Sequence, residues 1–114
     1  MQKLLKFNIR KLSSHQHFLF SKVVGVPKES FPNEKRVAIS PEGVTKLVKL
    51  GYEVKVEKNS GVEADFPDEL YEKSGAKITD NGYDSDILMK IRPPSKEEIN
   101  KMKSNSTLFS FIQP

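Results

Sequence analysis

The 114 residues amount to one ordinary domain, and a 36% hydrophobic content supports a modest core but not two. There is no Cys and no Trp, which excludes a disulfide framework and a Cys-based metal site and leaves a reducing compartment compatible. The net charge of +4 invites a nucleic-acid reading, but five basic residues (Lys3, Lys6, Arg10, Lys11 and Lys22) stand in the first 22 positions without an acid, leaving 14 basic against 15 acidic groups, so no nucleic-acid partner is expected.

In the first stretch Lys3, Lys6 and Arg10 fall on one helical face and Leu4, Leu5, Ile9 and Leu12 mostly on the other, a basic amphipathic helix. Ser13, Ser14, His15 and His17 follow without an acid, and no unbroken apolar stretch marks a secretory signal. Residues 1–21 are therefore expected to be a mitochondrial targeting leader ahead of the body, residues 22–114. No apolar run approaches the ~20 residues that span a bilayer, so no membrane contact by this segment is expected.

From Lys22 onward the apolar pattern alternates between strand and helix periods. Val23, Val24 and Val26 predict a strand ending at Pro27, and the polar stretch Lys28 to Ile39 an ordered loop. Ser40-Pro41 reads as an N-cap and first-turn proline, Val44, Leu47 and Val48 as a buried stripe, and Gly51 as the stop. Tyr52, Val54 and Val56 alternate with Glu53, Lys55 and Glu57, a strand near the sheet's edge. A helix from about Pro67 to Ser74 presents Leu70 and Tyr71 and is closed by Gly75. Lys77 to Thr79 predicts a short strand, and Asp86 to Ile91 a better one whose contiguous Ile87, Leu88 and Met89 suit a strand covered on both faces. Ser95 and Glu98 form a capping box for a helix anchored by Ile99 and Met102. Leu108 to Ile112 is almost wholly apolar and is expected in the sheet's interior. The class is α/β, a doubly wound, mostly parallel sheet of Rossmann or flavodoxin type, in an incomplete domain.

In such sheets ligands bind beyond the carboxyl ends of the strands. Arg36 follows the first strand, Lys90 ends the Ile87 strand with Arg92 just beyond, and Gln113 follows the last strand; this rim would grip a small carboxylate, the Arg as a fork and the Lys as a point charge. The alternative is that these cations pair with Glu29, Glu34 or Glu42. Glu97 and Glu98 read as complements to a helix dipole, and Asp84 and Asp86 as turn and strand-start residues rather than metal ligands. His15 and His17 make a poor metal pair inside a leader, and no Ser-His-acid set exists in the body. Glycines at 25, 43, 51, 61, 75 and 82 never stand in G-x-G spacing, so the chain carries no recognisable cofactor cradle.

Val24 to Glu29, Asn33 to Ala38 and Ser40 to Val44 together resemble the opening motif of the alanine dehydrogenase and pyridine nucleotide transhydrogenase amino-terminal domain. The similarity continues through Leu50 to Val54, Glu57 to Gly61, Tyr71 to Ala76, Ile87 to Ile91 and Leu108 to Pro114. By this resemblance Arg36 and Lys90 match the pair that holds the carboxylate and carbonyl of pyruvate in alanine dehydrogenases. Gln113 stands where those enzymes place a catalytic His, and an amide cannot serve as acid or base. Ser110-Phe111-Ile112 and Pro114 look more like transhydrogenases, although their usual aromatic residue is also missing. The resemblance thus implies part of a proton-translocating NAD(P) transhydrogenase, with alanine dehydrogenase as runner-up and a non-catalytic α/β interaction module as a third reading. It implies NAD(H) and NADP(H) as cofactors of the full enzyme, none held by this chain alone. The implied partners are the NAD-binding, membrane and NADP-binding domains and further copies in an oligomer. A sheet ending without its covering helix is expected to be marginally stable and inactive in isolation.

Overall fold

In the computed structural model residues 22–111 are described; the expected leader, with His15 and His17, and the final residues Ile112, Gln113 and Pro114 lie outside them. The elements run β1 (Val23–Val26), α1 (Pro41–Lys49), β2 (Glu53–Glu57), a 3-10 turn (Val62–Ala64), α2 (Asp68–Lys73), β3 (Lys77–Thr79), β4 (Ile87–Met89), α3 (Lys96–Lys101) and β5 (Thr107–Phe109). The five strands form one sheet in the order β3-β2-β1-β4-β5, every pair parallel. The α/β, doubly wound reading therefore holds.

Local chemistry sets most of these boundaries. The Ser40 hydroxyl accepts from the Gly43 amide at 3.1 Å, and Pro41 occupies a first-turn position whose missing donor costs nothing. Gly51, at φ 99°, takes the left-handed turn out of α1 that a side chain would resist. At α3 the capping box is present in full, Ser95 accepting from the Glu98 amide and Glu98 from the Ser95 amide.

The register places Val24 beside Val54 and Val26 beside Val56, so these four valines share one face of the sheet. Val44 of α1, Tyr71 of α2 and Ala76 pack on them, and the cluster is almost fully buried. Each such aliphatic side chain contributes about 1.5–3 kcal/mol relative to an exposed one. Tyr71 is wholly buried and donates its hydroxyl to the Ile39 carbonyl at 2.7 Å. Burial, then the nearby Asp68 charge, push its pKa up to about 12.

The opposite face is built differently. From β3, at one edge, the chain returns to β4 through residues 80–86, crossing β2 and β1 without a helix. Glu57 accepts from the Gly82 amide at 3.1 Å, and the Asp86 carboxylate accepts from the Val23 amide at 2.9 Å. The crossing lies so close that a Cβ at Gly25 would stand 2.1 Å from Ser85 Oγ and 2.3 Å from the Gly82 carbonyl oxygen. A glycine is required there by contact, not by backbone angle.

Three expectations need correction, the first being Val48, expected in the buried stripe of α1 but 37% exposed. Among the described residues the last strand is not in the interior: β5 ends the strand order beside β4, and Phe109 and Phe111 are 59% and 68% exposed. Its apolar run reads as a covered strand, yet none of the described residues covers those rings. Ile99 does not anchor α3 either, being 52% exposed, because the buried side of that helix is taken by Glu98.

Candidate functional site

Between β1 and β4 the strand order reverses: the chain leaves β1 for β2 and β3 on one side and reaches β4 and β5 on the other. At this crevice the loop after β1 meets the turn after β4, the place where parallel sheets receive ligands. Six charged side chains gather there, three acidic and three basic, in two layers.

The inner layer is buried. Lys90 lies 3.3 Å from Glu29 and 3.4 Å from Glu98, and the Lys90 and Glu29 side chains are only 1% and 3% exposed. One Glu29 oxygen accepts from the Ile91 amide at 2.9 Å; the other accepts from the Arg92 amide at 3.1 Å and from Lys90 Nζ. Glu98 reaches inward from its capping position and accepts from the hydroxyls of Tyr83 and Ser30. Burial alone would raise the Glu98 pKa, but the Tyr83 hydroxyl, the Ser95 amide, the Lys90 charge and the Ser30 hydroxyl outweigh it and bring it down to about 2. Burial, and then the bond to Glu98, push the Tyr83 hydroxyl well above its usual range.

The outer layer is a shared fork. Arg36 grips Glu34 with Nε at 2.8 Å and a terminal nitrogen at 2.9 Å, and Arg92 Nε reaches the second Glu34 oxygen at 2.8 Å. The hydrogen bonds from Arg36, then from Arg92, hold the Glu34 carboxyl well below the usual carboxylate range. Arg92 also lies over the Phe31 ring, 4.2 Å from its centroid. Both guanidinium groups are thus engaged by one carboxylate of the chain itself.

Arg36 and Lys90 thus stand at the same end of the sheet, but the structure does not bring them onto one free surface. Arg36 lines a depression of about 270 Å³ with Lys28, Lys35, Asn59 and Glu63. Lys90 lies at the floor of another, of about 250 Å³, with Phe31, Arg92, Pro93 and Ser95. Gln113 lies outside the described residues. The cation that shares a partner with Arg36 is Arg92, which the sequence singles out only by its place just beyond Lys90. Glu29, Glu34, Tyr83 and Ser30 complete the crevice, and of these only the two acids are marked in the sequence, as possible ion-pair partners. Glu42, the third acid considered, makes no ion pair among the described residues. Asp86 starts β4 by binding the Val23 amide, and Lys103 lies 3.6 Å from Asp84.

The crevice does not fit a dinucleotide. A pyrophosphate needs backbone amides on a glycine-rich turn. Here β1 is followed by Pro27, which has no amide hydrogen, and the Ile91 and Arg92 amides are taken by Glu29. What the arrangement does is hold the loop after β1 against the turn after β4 through three internally paired cations.

The family description "Alanine dehydrogenase/PNT, N-terminal domain" matches residues 25–114. The chain is 42% identical over 92 residues to the NAD(P) transhydrogenase subunit alpha of Haemophilus influenzae, covering 79% of this chain and 18% of that protein. It is 40% identical over 92 residues to an alanine dehydrogenase of Staphylococcus epidermidis, covering 78% and 25% respectively. Among solved structures, a transhydrogenase from Sinorhizobium meliloti superposes with a TM-score of 0.77 at 39% identity, over 80% of this chain and 28% of that one. The chain therefore spans about a fifth to a quarter of the length of the curated relatives it matches. These relatives correct the mitochondrial expectation: all three organisms are bacteria, which points to a bacterial protein. That expectation rested on a basic amphipathic segment without acids, a pattern not specific to targeting.

Proposed function

The chain belongs to the alanine dehydrogenase/PNT N-terminal domain family, and from that premise we propose that it is the front part of the NAD-handling component of a proton-translocating NAD(P) transhydrogenase. In this reading the full enzyme moves hydride between NADH and NADP and couples the transfer to proton movement. NAD-binding, membrane and NADP-binding domains supply what this chain lacks, in an oligomer. The crevice with Arg36, Glu34, Arg92 and Lys90 forms the rim on which the nucleotide-binding part docks.

The observation that carries the choice is the chemistry of proton carriers. Hydride passing from one nicotinamide to another changes the protonation of neither ring, so the site needs alignment and no acid or base. Oxidative deamination of alanine needs proton transfers to and from nitrogen and oxygen, and a carrier that titrates near neutrality. No histidine occurs in residues 22–111, and Gln113 is an amide. Among the described rim residues, the Glu34 and Glu98 pKa values are displaced downward and that of Tyr83 upward, all away from neutrality. The family relatives alone leave alanine dehydrogenase equally close in identity.

A segment exchange tests the reading. Residues 22–114 replace the matching segment in the H. influenzae transhydrogenase subunit and, separately, in the S. epidermidis alanine dehydrogenase. The first chimera is expected to retain hydride transfer between nucleotides; the second is expected to lose alanine oxidation and to regain part of it with Gln113→His. An alanine dehydrogenase chimera that oxidises alanine without that change would overturn the proposal.

A further inference from the structure

The donors around Glu29 have the composition of a ligand site. Two consecutive amides, Ile91 and Arg92, point at the two oxygens of one carboxylate at 2.9 and 3.1 Å, and the Lys90 ammonium stands 3.3 Å away. Successive amides in a turn make an anion-binding concavity, and a buried ammonium beside them strengthens the preference for a negative guest. No buried polar side-chain atom lacks a partner among the described residues, so the concavity is complete once a carboxylate fills it. The carboxylate that fills it comes from the loop after β1, 61 residues away in sequence from Lys90.

We propose that the Ile91 and Arg92 amides and the Lys90 ammonium form a built carboxylate-binding site at the reversal point of the sheet, filled in cis by Glu29. Glu29 is thereby a positioning residue: it seats the loop that carries Glu34 and Arg36 against the turn that carries Arg92. The inference stands apart from the choice between transhydrogenase and alanine dehydrogenase, since it concerns the crevice both would share. It gives Lys90 a role different from a free rim cation. An external carboxylate reaching these donors must displace Glu29, and with it the loop, so ligand capture at this point and closure of the loop exclude each other. The second carboxylate on Lys90, from Glu98, keeps the ammonium in place when Glu29 leaves.

The test is chemical rescue on the full 114-residue chain. Glu29→Ala deletes the atoms of an acetate group and leaves the donors intact. The variant is expected to melt at a lower temperature than the parent, and the Ile91 and Arg92 amides to lose about tenfold or more of their protection from hydrogen exchange. Added acetate is expected to restore both saturably, whereas chloride at matched ionic strength does not; in Glu29→Ala with Lys90→Met the acetate effect is expected to weaken. The parent chain should not respond to acetate. Should the variant fail to fold in chloride, acetate-dependent refolding becomes the readout. Glu29→Gln keeps one acceptor and turns an NH₂ toward the remaining donors, so it should lose protection at one of the two amides. Acetate and chloride acting alike, or full protection of both amides in Glu29→Ala or Glu29→Gln, would overturn the proposal.

Discussion

Replacing Lys90 by Met separates a buried structural charge from an exposed ligand-gripping one. The methionine retains most of the stem's length and removes the ammonium, leaving Glu29 and Glu98 as neighbouring carboxylates with side chains 3% and 11% exposed. Removing one partner of a buried ion pair costs about 3–5 kcal/mol, because the charge left behind is neither solvated nor paired. Here two charges are left, so the upper half of that range is expected, against a total stability of about 5–15 kcal/mol for a domain. At about 4–8 °C per kcal/mol for a domain of this size, the melting temperature should fall by more than about 16 °C, if the variant folds at all. Urea denaturation followed by circular dichroism measures the loss. The defect should shrink at low pH, where protonated carboxyl groups no longer repel each other. Arg36→Ala is the control: that side chain is 63% exposed and Arg92 still holds Glu34, so its removal should lower the melting temperature far less than Lys90→Met. A Lys90→Met chain that loses less than about 1 kcal/mol would refute the account, because only a solvated surface pair costs so little.

The acid limb of the stability profile should carry the Glu98 signature. Its pKa in the folded chain, about 2, lies below the ordinary 4.5, so its contribution is present above about 4.5 and is lost as pH falls toward about 2. Glu98→Gln should flatten that limb, and an unchanged slope between parent and variant would show that Glu98 is not held as described. Gly25→Ala should destabilise the chain by about 1–3 kcal/mol or more, since the added methyl meets the crossing segment rather than open space; a neutral result in thermal melts would mean that residues 80–86 do not lie on β1.

Much of the fold is legible in the sequence because its signals are local. Ser40-Pro41 caps α1, Ser95 and Glu98 box α3, and the alternation through Val54 and Val56 aligns a strand; each needs only its neighbours along the chain. What escapes is set by partners far away. The apolar run at Leu108 to Ile112 has the composition of a covered strand whether or not anything covers it, so its edge position becomes visible only from the strand order. Gly25 reads as a weak spot in a valine strand until Ser85 and Gly82 are seen against it. The crevice shows the same division. Its location follows from strand ends, and Arg36 and Lys90 are found there, but the pairing of Arg36 with Arg92 through Glu34 depends on a contact spanning 58 positions. Glu98 is harder still, because the spacing that identifies it as a cap gives no hint that its other oxygen reaches Lys90, Tyr83 and Ser30.

The measurement that bears most directly on the central proposal, that the described residues offer no dinucleotide cradle because their crevice is filled by its own carboxylates, is a calorimetric titration of the full 114-residue chain with NADH. The account predicts no binding in the micromolar range, since Pro27 and the Glu29-filled amides leave nothing to hold a pyrophosphate. A micromolar dissociation constant for NADH would contradict it.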